Sequence, residues 1–322
     1  MLLKLENVVK RFGKVQAVAG VSLEVEKGET LGLVGETGCG KSTLARCITR
    51  LYDITSGRIV FDGQDISSLS NDELRPLRRR IQMVFQDPYG SLNPRRRVGS
   101  IIGDPFEIHN LAKGKDLLMR VQGLMELVGL NPEHYNRFPG EFSGGQRQRV
   151  GIARAIALKP DLIVCDEPVS ALDVSIRAQI VNLLTDLQKE LNLTYVFISH
   201  DLSLVRHVST RVAAMYLGKV VEVAPVNQLY EQARHPYTHA LLSAEPVPDP
   251  DFDGAREHII LAGEPPSPMD PPAGCRFHPR CPRVVDTCRK DEPGLGLHFS
   301  DSKEHLAACH FALADGERLV SA

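Results

Sequence analysis

The apolar run Thr30-Leu31-Gly32-Leu33-Val34 leads straight into Gly35-Glu36-Thr37-Gly38-Cys39-Gly40-Lys41-Ser42, and a helix-forming stretch from Lys41 to about Arg50 follows. Strand, glycine-rich turn and helix in this order constrain the fold more than any other feature of the chain. Glycines let main-chain N–H groups turn inward, and the helix N-terminus adds partial positive charge, so the turn is shaped to hold a nucleotide phosphate. Lys41 is expected to reach the β- and γ-phosphates, Ser42 to place its hydroxyl on Mg²⁺, and Thr43 to make a further phosphate contact.

Other apolar runs end in chemistry-bearing residues. Ile81–Phe85 runs into Gln86. Leu162–Cys165 runs into Asp166 and Glu167, and Thr194–Ile198 into Ser199 and His200. Nearly continuous apolar runs suit strands buried on both faces of a parallel sheet. Ligands of open α/β sheets sit beyond the carboxyl ends of the strands. The phosphate loop, Gln86, Asp166, Glu167 and His200 are therefore expected to converge on one edge. In that site Asp166 organises Mg²⁺, Gln86 orders metal or water, Glu167 polarises the attacking water as general base, and His200 hydrogen-bonds the γ-phosphate.

Leu3 to Val8 and Val18 to Val25 alternate apolar and polar residues, as strands of an antiparallel sheet do. Residues ~91–149 read as mostly helical, interrupted by Pro94, Pro105, Pro132 and Pro139. Ile176, Ile180, Leu183, Leu184, Leu187 and Leu191 fall on one helix face and read as core.

At 322 residues two domains are expected. A net charge of −2, with acidic and basic residues interspersed, gives no nucleic-acid footprint. Arg75–Arg80 and Arg95–Arg97 read as solvated faces. No apolar run approaches the ~18 residues of a membrane span, and the N-terminus does not read as a signal peptide. The expectation is a cytosolic chain that meets a membrane through a partner.

Beyond residue ~235 the composition shifts. More than half of the 21 prolines lie between Pro236 and Pro293. Pro246–Pro250 and Pro265–Pro268 read as extended linker. Cys275, Cys281, Cys288 and Cys309 follow, and in a reducing cytosol such a group suits metal better than disulfides. Four thiolates suit an iron–sulfur cluster or structural zinc, although the paired C-x2-C knuckles of zinc sites are missing. Unliganded thiols around a small local core are the third reading.

Taken together these residues resemble the nucleotide-binding subunits of ATP-binding cassette (ABC) transporters over nearly the whole chain. Phe142-Ser143-Gly144-Gly145-Gln146 resembles the family signature, Ser170-Ala171-Leu172-Asp173 its D-loop, and Gln86 and His200 its Q-loop and switch histidine. Phe12 matches the aromatic that stacks on adenine. The resemblance implies a RecA-like P-loop NTPase core with an antiparallel β subdomain and a helical signature subdomain, plus a small Cys-rich C-terminal extension. Boundaries follow at 1–235 for the ATPase domain, its helical part at about 91–149, and 236–322 for the extension. Ser143 can N-cap the following helix, while Gly144 and Gly145 allow close approach. The family applies that helix end to the γ-phosphate held by the opposite subunit, so two ATP molecules are sandwiched in a dimer.

The sequence Phe85-Gln86-Asp87-Pro88-Tyr89-Gly90-Ser91-Leu92-Asn93-Pro94, the run Cys165–Asp173, and His235-Pro236-Tyr237-Thr238 resemble the dipeptide and oligopeptide importers, and among them the F-type member of an unlike ATPase pair. Gly140 and Thr37 depart from residues common there, His and Ser. The resemblance implies ATP hydrolysis driving peptide uptake at the cytoplasmic face of the membrane. Its implied partners are a second ATPase subunit, two membrane permeases and an extracytoplasmic solute-binding protein. It also implies a [4Fe–4S] cluster on the four cysteines. Nickel, glutathione or a sugar is an alternative solute. A soluble cassette acting on nucleic acid or ribosomes fits less well, since the chain has one cassette, no heptad run and no basic tail. A non-hydrolysing regulatory subunit conflicts with intact Lys41, Asp166, Glu167 and His200.

Overall fold

Apolar alternation along the first strand is interrupted once, and the interruption decides which side chains face inward. In the computed structural model, which describes residues 1–87, 89–244, 259–261, 263–299 and 304–319, Leu3, Leu5 and Val8 are the buried residues of β1 (Leu3–Phe12). The register against β2 (Val15–Val25) shifts between Leu5 and Val8, and Asn7 takes φ 49°. This bulge inserts one residue, so Val8 rather than Asn7 turns to the core.

The chain divides into two units. The first comprises Met1–Val25, Thr30–Ser67 and Ser199–Ala322, the second Glu26–Glu29 and Ser68–Ile198. In the first unit an antiparallel sheet has the order β2-β1-β4-β5, with β4 at Ser56–Phe61 and β5 at Gln64–Asp65. The buried strand β3 (Thr30–Val34) leads into helix α1 (Lys41–Ile48).

The second unit holds α2 (Asn71–Leu77), β6 (Ile81–Val84), α3 (Val98–Ile108), α4 (Gly114–Leu127), α5 (Gly144–Ile156), β7 (Leu162–Asp166), α6 (Val174–Leu191) and β8 (Thr194–Ile198). β6, β7 and β8 are parallel, with Val84 opposite Cys165 and Asp166 opposite Ile198. Every residue of β7 and β8 is buried, as two-sided cover of a parallel sheet requires. Pro105 does not break the helix as its sequence position suggests; it lies inside α3. One lost main-chain hydrogen bond is outweighed there by burial of Ile101, Ile102 and Phe106. Helix α6 buries Ile180, Val181, Leu184 and Leu187, while Ile176, Leu183 and Leu191 are half-buried.

The chain then returns to the first unit. It adds α7 (Leu202–Val208), β9 (Arg211–Tyr216), β10 (Lys219–Pro225), α8 (Val226–Glu231), α9 (Pro236–Ser243), α10 (Asp286–Lys290), β11 (Gly296–Leu297) and β12 (Leu306–Ala307). β9 runs parallel to β3, and β10 is antiparallel to β9 and β12. The strands β9 and β10 go beyond the sequence expectation. Pro265–Pro268 carries no helix or strand; Pro246–Pro250 and Pro88 lie outside the described residues.

Glu222, fully buried on β10, accepts hydrogen bonds from the main-chain N–H groups of Arg234 (2.6 Å) and His235 (3.1 Å), and pairs with His305 Nε2 at 2.6 Å. His235 Nδ1 in turn accepts from Tyr237 N–H and caps α9, a role that needs the neutral ring. Burial pushes the His235 imidazole down to about 4, against a smaller opposing pull from Glu222. Below its ordinary value the unfolded chain binds a proton that the folded chain refuses until about pH 4. Stability therefore falls through that window, by about 2 kcal/mol between pH 7 and pH 5 from this group. Urea unfolding of His235→Asn, which keeps a capping acceptor without the titration, is expected to show a correspondingly shallower acid slope. An unchanged slope removes His235 as the source.

Candidate functional site

The phosphate loop is built from the first unit alone. Gly35 adopts φ 148° and Gly40 φ 108°. A Cβ on Gly35 would stand 2.1 Å from the Met215 carbonyl oxygen, and one on Gly40 2.1 Å from that of Ala17. Both positions therefore require glycine on conformation and on space. Gly218 N–H bonds to the Cys39 carbonyl, so the β9–β10 turn holds the loop from outside. The Lys41 ammonium, almost fully buried, donates to the Gly35 and Glu36 carbonyls at 2.7 and 3.0 Å. Thr37 and Gly38 are exposed, and Ser42 and Thr43 half-buried at the start of α1. No side chain caps α1 at Gly40. Its first N–H groups and its dipole can thus serve an anionic phosphate.

Cys39 is buried beside Lys41, and burial raises its thiol above the ordinary value, so it is neutral. Phe12 is 44% exposed at the end of β1, edge-on to Tyr52 with centroids 5.4 Å apart, and the Lys10 ammonium lies 4.9 Å from the Phe12 centroid. Tyr52 is an aromatic neighbour that sequence reasoning missed. His200 is exposed, just before Asp201, which N-caps α7 by accepting from Leu204 N–H.

The second unit brings Gln86 and Glu167 together. Gln86 follows β6 and its Nε2 donates to Glu167 Oε2 at 2.8 Å. Asp166 is the last residue of β7 and is buried. Glu167 takes φ 46°, in the left-handed region, held by its N–H to the Ile198 carbonyl (3.0 Å) and by Ser170 Oγ donating to its own carbonyl (3.2 Å). A non-glycine residue kept there by its surroundings stores strain where geometry matters.

The same unit joins the Ser143 stretch to Asp173. Ser143 Oγ accepts from Gln146 N–H (3.3 Å) while Gln146 Oε1 accepts from Ser143 N–H (2.9 Å). This capping box is legible as Ser-x-x-Gln and gives Gln146 a structural task. A Cβ on Gly145 would meet Ile176 Cγ2 at 2.5 Å, and one on Gly144 Leu172 Cδ2 at 3.3 Å, so the helix start lies against the segment around Asp173. Asp173 is exposed at the N-terminus of α6 and makes no side-chain cap bond.

Residues 18–170 match the ABC transporter family, and residues 221–288 match the oligopeptide/dipeptide transporter C-terminal region. The chain is 54% identical over 303 residues to the oligopeptide transport ATP-binding protein AppF of Bacillus subtilis, covering 94% of this chain and 91% of that one. It is 50% identical to the di/tripeptide transport ATP-binding protein DppF of Pseudomonas aeruginosa (95% and 93% covered) and to the oligopeptide transport ATP-binding protein OppF of Salmonella typhimurium (92% and 87%). The chain belongs to the peptide-transport ATP-binding proteins of the ABC family. Solved cassettes agree. The dimeric post-hydrolysis cassette MJ0796 with ADP and Pi aligns with TM-score 0.64 and 31% identity, covering 70% of this chain and 99% of that one. The cassette cbiO1 of Clostridium perfringens gives 0.64 and 28%, covering 71% and 90%. The fold is the α/β ABC ATPase cassette.

The part of this ABC chain that departs from expectation is its cysteine segment. Cys275, Cys281, Cys288 and Cys309 line one cavity, whose free volume is about 10 Å³. That is room for about one water. Among the described residues no group of three or more His, Cys, Asp or Glu is placed to hold a metal ion. Burial, with the neighbouring sulfurs adding to it, pushes the Cys281 thiol up to about 11 and the Cys309 thiol up to about 12, and it raises Cys275 as well. The described residues therefore give no support to the expected [4Fe–4S] cluster or to the zinc alternative: Cys288 is buried, while Cys275, Cys281 and Cys309 are half-buried.

Proposed function

We propose that this chain is the ATP-hydrolysing subunit of an importer of di- and oligopeptides, acting as one half of an ATPase dimer at the cytoplasmic face of the membrane. The observation that carries this reading is a complete set of turnover residues (Lys41, Ser42, Gln86, Asp166, Glu167 and His200) in a chain that aligns with peptide-transport ATP-binding proteins over nine-tenths of its length. The built phosphate loop and the uncapped start of α1 fit a nucleotide phosphate.

In this reading the ATPase domain spans 1–235, with its helical part at about 91–149, and 236–322 is the importer extension. Phe12 stacks on adenine with Tyr52 beside it. Residues 35–43 wrap the phosphates, Lys41 meeting the β- and γ-groups. Ser42 and Gln86 would hold Mg²⁺, with Asp166 organising it; the ion supplies charge neutralisation at the β- and γ-oxygens. Glu167 takes the proton of the attacking water as its oxygen bonds to the γ-phosphorus and the bond to the β-phosphate oxygen breaks. His200 hydrogen-bonds the γ-phosphate. Ser143, Gly144, Gly145 and Gln146 bring their helix start to the nucleotide of the opposite subunit, and Asp173 lies at the same seam. ATP favours the closed dimer by its differential affinity for that state, and hydrolysis releases it. Two permease subunits receive the motion, and a solute-binding protein delivers the peptide.

Among the described residues no helix is long and apolar enough to cross a membrane, so the proposed membrane attachment rests on the permeases. Co-expression with the permease pair, purification from detergent-solubilised membranes and reconstitution tests the proposal. The expected result is a complex whose ATPase rate rises when peptide-loaded binding protein is added. Recovery with ribosomes or DNA instead would overturn it.

A further inference from the structure

We propose that Arg280 and Tyr237, both in the C-terminal segment, are positioning residues for the phosphate loop and set its nucleotide affinity through Glu36. The inference rests on the reading of residues 35–43 as the ATP site. It is carried by three contacts that converge on this one loop residue. The Glu36 N–H donates to Tyr237 Oη at 2.8 Å. Its carboxylate accepts from Arg280 Nη1 through both oxygens, at 2.9 and 3.1 Å. Its carbonyl accepts from the Lys41 ammonium. The second loop residue is thus tied at main chain and side chain to the C-terminal segment, and at its carbonyl to the lysine that meets phosphate.

The tie is stiff. Tyr237 and Phe277 are essentially fully buried and pack with Tyr216 as a triad of rings, centroids 4.7 to 5.5 Å apart. Arg280 is 9% exposed, with its guanidinium 6.0 Å from the Tyr216 centroid. Tyr216 directly follows Met215, whose carbonyl Gly35 abuts. Burial keeps the Tyr237 phenol neutral, with an oxygen free to accept from Glu36 N–H. A fully exposed ion pair would matter little, but this one is half-buried, made through both carboxylate oxygens, and acts on a loop whose productive geometry tolerates small errors only. Binding linkage is reciprocal, so nucleotide on the loop must also stabilise the turn His278–Arg280 and the cysteine that follows it.

The test uses the full chain in its assembled complex, with ATP kinetics and an ADP titration for each variant. Arg280→Gln is expected to raise KM for ATP and Kd for ADP about tenfold while turnover at saturating ATP falls less than about threefold. Arg280→Lys should recover part of the affinity. Glu36→Gln should weaken ADP binding comparably, and the double variant Glu36→Gln/Arg280→Gln should be no worse than either single one. Affinity within twofold of wild type in Arg280→Gln, or losses that multiply in the double variant, would overturn the inference. Lys41→Ala is run beside them. If it too leaves ADP binding intact, the ATP-site reading itself fails; if it abolishes binding while Arg280→Gln does not weaken it, only the positioning role fails.

Discussion

Glu167→Gln is expected to leave ATP binding intact while cutting steady-state hydrolysis at least about 100-fold, the lower range of what a positioned general base contributes. The substitution keeps side-chain shape. Its amide can still present an oxygen to Gln86 Nε2, which now donates to Glu167 Oε2 at 2.8 Å. The main-chain anchors, Glu167 N–H to the Ile198 carbonyl and Ser170 Oγ to the Glu167 carbonyl, do not involve the carboxylate at all. The backbone at φ 46° should therefore survive, and only the capacity to take a proton is lost. With binding retained and turnover blocked, ATP should accumulate a closed dimer with the partner ATPase. Light scattering of the nucleotide-loaded subunits, alongside phosphate release, measures both effects. Hydrolysis near the wild-type rate would remove Glu167 from the role of base. A slow variant that also fails to bind ATP would point to collapse of the turn instead.

Much of this site is legible in the amino-acid sequence, because it is written in contiguous residues. The strand Thr30–Val34, the loop and the start of α1 are one local grammar, and β6, β7 and β8 announce themselves as unbroken apolar runs. The Ser143–Gln146 box is equally legible, since both partners lie within one helical turn. What escapes is non-local. Tyr237 reaches Glu36 across 201 residues and Arg280 across 244, and no periodicity in the chain reports such a contact. The cysteines fail for another reason. Spacing can state that four thiols are near one another in sequence, but whether they meet as ligands depends on how the segment packs, and among the described residues no group of three or more is placed for a metal ion. Asn7 and Pro105 show the same limit on a smaller scale. A one-residue bulge reverses the facing pattern of β1, and a buried helix face keeps a proline inside α3.

Gly40→Ala is expected to weaken ATP binding by at least about 100-fold, and the loop geometry says why a single methyl suffices. The new Cβ would lie 2.1 Å from the Ala17 carbonyl oxygen and 3.0 Å from Met215 Cε, at a residue with φ 108°. Met215 Cε is the end of a flexible side chain and can give way. Ala17 lies inside β2, between Gln16 and Val18, which pair with Arg11 and Lys10 of β1, so main chain rather than a side-chain end opposes the new methyl and the loop must move. Backbone strain of about 1–3 kcal/mol and an overpacking cost of similar size sum to roughly 3 kcal/mol or more. At about 1.4 kcal/mol per decade that is two powers of ten in affinity. Gly38→Ala separates the two causes. Gly38 also has a positive φ, 82°, but a Cβ there meets nothing within 4 Å. It should therefore carry the conformational cost alone and lose roughly tenfold. ADP titrations of the two variants at matched folding, checked by thermal melting, decide the point. Equal losses would mean that torsion alone governs the loop and that contact with Ala17 contributes nothing; a larger loss at Gly40 locates the rigidity of the phosphate cradle in the strand behind it.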